Sequence, residues 1–79
     1  MNLYCIWNRD YEWCCYVFET TRNKAKERAS GYFGEEYIDM RCKTLKKGVN
    51  VPVPHVVDHE TAPGYDMVLK LGYSFAEEE

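Results

Sequence analysis

Residues 1–19 read MNLYCIWNRDYEWCCYVFE, and their periodicity decides the fold. Met1–Trp7 and Trp13–Glu19 each have the composition of a β-strand. The polar run Asn8, Arg9, Asp10, Tyr11 and Glu12 supplies the connection of a hairpin. Six of the chain's twelve aromatics fall here: Tyr4, Trp7, Tyr11, Trp13, Tyr16 and Phe18. A turn centred on Asp10 sets Trp7 opposite Trp13, Cys5 opposite Cys15 and Leu3 opposite Val17. Tyr4, Ile6, Cys14, Tyr16 and Phe18 then share the other face, because side chains alternate along a strand. Neither face is polar. A sheet in so small a protein is expected to cover one face with its own helix, so the other is expected to meet a host protein or a second copy of the chain. The six aromatics are the candidate interface, since aromatic side chains concentrate at interface centres.

Working outward, Thr21 is a helix N-cap, with Thr20 as the fallback. The helix is expected from Arg22 to about Ser30, stopped by Gly31 or Gly34 in a left-handed conformation. Ala25, Ala29 and Tyr32 or Phe33 form its narrow apolar stripe. Tyr37–Leu45 reads as a third strand, with Ile38, Met40 and Cys42 on one side and Asp39, Arg41 and Lys43 on the other. That alternation marks a half-solvated strand. Lys46–Pro63 is a long connection holding Pro52, Pro54 and Pro63. Its valines, Val49, Val51, Val53, Val56 and Val57, favour an extended wrap along a sheet edge. Tyr65–Leu71 is expected as a short helix with Met67, Val68 and Leu71 inward and Gly72 as its stop; a fourth strand is the competing assignment. A right-handed crossover makes the second and third strands parallel, giving sheet order 2-1-3. The fold class is α+β: a small three-stranded sheet, four-stranded under the competing assignment, mostly antiparallel, with one main helix on one face.

Seventy-nine residues make one domain, assigned to residues 1–76, with Glu77, Glu78 and Glu79 as a frayed acidic tail. The apolar runs are far shorter than the roughly 20 residues needed to span a bilayer, and no secretory signal pattern opens the chain. The protein is expected in the cytosol, without membrane contact, and its cysteines (Cys5, Cys14, Cys15, Cys42) are read as reduced thiols packed as small hydrophobes. Net charge is −3, but residues 22–47 hold eight of the ten cations: Arg22, Lys24, Lys26, Arg28, Arg41, Lys43, Lys46 and Lys47. That segment carries +4 and the remainder from residue 48 carries −5. Such a bipolar molecule favours oriented docking onto a charged partner over general nucleic-acid affinity.

Arg22, Lys24, Lys26 and Arg28 oppose the helix dipole, and Lys24 stands where a capping box would place Glu. A helix start with free N–H groups and several cations is a candidate anion site. A solvated face in which Glu27 offsets Lys24 is the more ordinary reading of the same residues. With a tyrosine or tryptophan for stacking, those cations would make a nucleotide or nucleic-acid binder. The chain lacks the glycine-flanked aromatic signature of an RNA-recognition strand, which puts that alternative second. His55 and His59 are four apart, beside Asp58 and Glu60, but Pro52 and Pro54 argue for extended chain there, and no paired-cysteine motif adds ligands. No metal or cofactor is expected. Phosphate-binding glycine loops, paired catalytic carboxylates and an activated cysteine are all lacking, so the chain is read as no enzyme.

The strings YVFETTRNKAKERA and EEYIDMRCKTLKKG carry a resemblance. With Met1–Tyr4, Val56–Asp58 and KLGYSF at Lys70–Phe75, they make the chain similar to a group of short uncharacterised proteins encoded by phages and prophages of gut Firmicutes. The similarity covers roughly Met1–Tyr4 and Tyr16–Lys47 besides those short pieces. It brings no catalytic motif. It implies a phage-type binding protein that engages a host factor, including a defence system, in the host cytosol.

Overall fold

A computed structural model describes residues 1–10 and 13–75. Its elements run β1 (Asn2–Asn8), β2 (Cys14–Glu19), α1 (Arg22–Phe33), a 3-10 turn (Tyr37–Asp39), β3 (Met40–Lys46), β4 (His55–Val57) and α2 (Tyr65–Lys70). The sheet order is β3-β1-β2-β4, with each neighbouring pair antiparallel. β2 and β3, both antiparallel to β1, therefore run parallel to each other with α1 between them in sequence. This is the expected α+β architecture with the expected 2-1-3 core.

Local chemistry places α1. The Thr21 hydroxyl accepts from the Lys24 amide at 3.2 Å, and Gly34 closes the helix at φ 70° with its N–H on the Ser30 carbonyl. The helix thus passes through Gly31 and extends a turn beyond Ser30. Ala25 and Ala29 are fully buried, and their small side chains bring the helix close to the sheet. α2 forms where the short helix was expected; Val68 is fully buried and Gly72 follows at φ 94°.

Four expectations are corrected. The hairpin register is Trp7↔Cys14, Cys5↔Tyr16 and Leu3↔Phe18, one residue away from the symmetric turn on Asp10. A one-residue slip exchanges the faces of one strand relative to the other. Leu3, Cys5, Trp7, Cys14, Tyr16 and Phe18 therefore share one face, and Tyr4, Ile6, Cys15 and Val17 the other. The third strand begins at Met40, because Tyr37–Asp39 turn tightly and leave Ile38 77% exposed. The fourth strand is His55–Val57, drawn from the valine-rich connection and paired to the outer side of β2; residues 65–71 are not a strand.

The largest correction concerns cover. α1 packs on the face of Tyr4, Ile6, Cys15, Val17 and Met40. The opposite face, with Leu3, Tyr16, Phe18 and, from β4, Val57, is covered by Val49, Ala62, Tyr65 and Val68. The last third of the chain thus forms a second layer, and both apolar faces of the hairpin find partners within the chain. Its rings bury their bodies and bind through their hydroxyls. Tyr16 donates to the Ser74 carbonyl at 2.6 Å, Tyr73 donates to the Leu45 carbonyl at 3.1 Å, and the Phe75 amide donates to the Tyr65 hydroxyl at 3.1 Å. Phe75 lies against both Tyr16 and Tyr65, with ring centroids 4.8 and 5.4 Å away. Among the described residues no helix is long and apolar enough to cross a membrane.

Candidate interaction surface

Three of the six aromatics expected to form an interface are buried. Phe18 is fully buried, Tyr4 is 3% exposed and Tyr16 8%, each spent on the protein's own core. Trp13 stacks on Phe33 of α1 at 3.9 Å, and its indole N–H donates to Glu35 at 2.8 Å. Trp7 is half-buried on the face that α2 covers, with Cys14 and Arg41 as its cross-strand neighbours. Tyr11 lies outside the described residues.

The basic helix start is likewise divided. Residues 22 and 26 share one flank of α1, and residues 24 and 28 the other, by the 3.6-residue turn. Arg28 reaches Glu19 at 2.9 Å, and with Lys24, Glu27, Thr20 and Pro54 it lines a groove in which two cations face two carboxylates. On the other flank, the Arg22 guanidinium donates to the Cys42 carbonyl at 2.8 Å, and the Lys26 ammonium lies 5.4 Å from the Tyr37 ring centre. With Thr21 already on the Lys24 amide, the four cations do not converge on one anion site.

Glu19 explains the first flank. It is 4% exposed, and its carboxylate accepts from the Thr20 amide and the Arg28 guanidinium, each at 2.9 Å. Burial pushes its pKa up, but those two donors outweigh burial and hold it below its ordinary value of 4.5. A folded carboxyl with a lowered pKa contributes stability that is present above the unfolded value and lost as pH falls through the folded one. Thermal melts followed by circular dichroism from about pH 6 to about pH 3 should show falling stability on the acid side. Glu19→Gln should flatten that acid limb; an unchanged limb would remove the carboxylate from this role.

What remains on the surface is a cationic flank along β3. Arg41 and Lys43 stand opposite Trp7 and Cys5 and are exposed on the α2 side of the sheet, and Lys46 and Lys47 follow at the end of the strand. Arg22 and Lys26 approach the same strand from the helix side. Six of the ten cations thus surround one strand. Their field reaches the neighbouring thiols. Burial pushes Cys42 up while Arg22 and Lys26 pull it down, and burial, with Cys14 and Cys42, raises Cys5 to about 11 against the pull of Lys43. Arg9 and Asp39 pair at 3.4 Å at the far end, both partly exposed. Asp58 directly follows β4, at the opposite edge of the sheet from this flank.

The remaining chemical candidates are placed separately. All four cysteines are free, and burial drives the Cys15 thiol far above its ordinary value, so it is a protonated core group. His55 packs on Phe18 with ring centroids 5.1 Å apart and shares a hydrogen bond with the Val53 carbonyl at 2.8 Å. His59 is a surface residue beside Asp58 at 3.3 Å and the Thr61 hydroxyl at 2.8 Å. Among the described residues no three His, Cys, Asp or Glu side chains group to hold a metal ion. No protein-family model matches the chain, nor does any curated protein or solved structure. The β3 flank was not singled out from sequence as a site. Its signals were the clustering of eight cations within residues 22–47 and the alternation of Arg41 and Lys43 along a half-solvated strand.

Proposed function

We propose that this protein is a non-enzymatic binding module of phage type, acting by protein–protein contact in the host cytosol, with the basic β3 flank as its docking surface. The single observation that carries this reading is the gathering of six cations around one exposed terminal strand of the sheet. The chain's rings, by contrast, are mostly consumed by its own core. A surface of one sign steers oppositely charged partners into register and speeds their encounter. The partner is therefore an acidic protein, and the resemblance to phage proteins suits a host or defence factor in that role.

Affinity purification from bacterial lysate, at low and at moderate salt, tests the reading. The wild-type chain should recover an acidic protein, and Lys43→Glu combined with Lys46→Glu should reduce recovery about tenfold or more without lowering Tm, because both side chains are exposed. Equal recovery by the variant would move the docking surface elsewhere. Recovery of nucleic acid with a steep salt dependence would favour the alternative in which Trp7, beside Arg41, stacks a base.

A further inference from the structure

We infer that the partner docks as an added β-strand: an extended segment alternating acidic and small apolar residues pairs with the outer edge of β3. This rests on the reading of the β3 flank as a protein-docking surface, and it specifies the form of the partner.

β3 ends the sheet, with β1 as its one strand neighbour. In an antiparallel ladder, alternate residues turn their amides toward the neighbour and away from it. The Arg9 amide donates to the Asp39 carbonyl at 3.0 Å, so Asp39 faces β1. Counting by two along the register, Arg41 and Lys43 also face β1, while Met40, Cys42 and Thr44 face outward. A second observation agrees with that phase, because Arg22 reaches the Cys42 carbonyl from outside the sheet. The edge is closed at one end, where the Met40 amide donates to the Tyr37 carbonyl and Arg41 donates to the Met40 carbonyl at 3.2 Å. At the other end a bulge interrupts the ladder opposite Leu3 and Tyr4, and the Tyr73 hydroxyl donates to the Leu45 carbonyl. Between them, Cys42 and Thr44 form the rungs for an incoming strand.

The charges choose the occupant. A strand laid against Cys42 and Thr44 places alternate side chains beside Arg41 and Lys43, where carboxylates are favoured. The intervening side chains fall beside half-buried Cys42 and Thr44, where small apolar groups fit. Arg22 can release the Cys42 carbonyl to a backbone N–H of the incoming strand and take up a carboxylate instead. A second copy of this chain is disfavoured, since pairing β3 with itself sets Arg41 and Lys43 against their own kind.

The probe is a peptide of roughly eight residues alternating Glu and Val, long enough for a typical strand. Its comparison is the same peptide N-methylated on alternate amides, with oligothymidylate as a separate arm. Addition of the first peptide should slow hydrogen exchange at the Cys42 and Thr44 amides about tenfold or more, and N-methylation should weaken binding by about tenfold or more. If both peptides bind equally and those two amides exchange unchanged, strand addition is wrong although acidic docking stands. If neither acidic peptide binds, or only the oligonucleotide does, the docking reading falls and this inference falls with it.

Discussion

Phe18→Ala is expected to cost about 3–5 kcal/mol of folding stability, a large share of what a domain of this size possesses. The reason is position. Phe18 is fully buried in β2, opposite Leu3 on β1 and His55 on β4, beneath the layer formed by Tyr65 and Val68. Truncation leaves a cavity between two layers that are tied to different parts of the chain, so neither collapses freely into the space. Urea titration should show the midpoint falling with little change in slope. Val53→Ala is the control: Val53 is 61% exposed, and its truncation should stay within about 0.5 kcal/mol. Were Phe18 an interface ring, its loss would leave stability intact and abolish binding. That opposite outcome separates the core reading from the interface reading.

Gly64→Ala is expected to cost about 2–5 kcal/mol through two separable effects. Gly64 lies at φ 94°, a conformation L side chains avoid at roughly 1–2 kcal/mol. A Cβ there would also clash with His55 Nε2 and fall 3.3 Å from Val57 Cγ2, so the start of α2 would be pushed off β4. His55→Ala in the same chain removes the closer contact but not the backbone strain. The double variant should therefore be more stable than the sum of the two single changes implies, and its thermodynamic cycle measures the steric part alone. Strict additivity would mean that the helix start moves away without resistance and that the backbone conformation carries the whole cost.

Those two positions also show what could be read from sequence. Thr21, Gly34, Gly72 and the alternation within residues 1–19 act over a few residues, so the hairpin, both helices and the 2-1-3 order were legible. The register was not, because nothing in residues 8–12 compels a turn symmetric about Asp10, and neither face of the hairpin was polar enough to reveal a slip of one. The extended wrap along a sheet edge was legible in the valines and forms β4, but its three-residue length after Pro52 and Pro54 hides where the pairing falls. The second layer escaped notice because Val49, Ala62, Tyr65 and Val68 share no single period; they meet only when the chain wraps. The hairpin is apolar on both faces, and the second cover comes from the same chain. For the site, the cluster of cations was visible as composition, but its division between two flanks of α1 depends on how the helix sits on the sheet.

The layer built from Val49 to Phe75 has a consequence during synthesis. A ribosome delivers β1, β2, α1 and β3 first, so the hairpin and its helix can assemble with Leu3, Tyr16 and Phe18 still bare on the opposite face. That surface stays bare until Tyr65, Val68 and Phe75 have left the exit tunnel, and transiently exposed apolar surface of this kind is prone to aggregate.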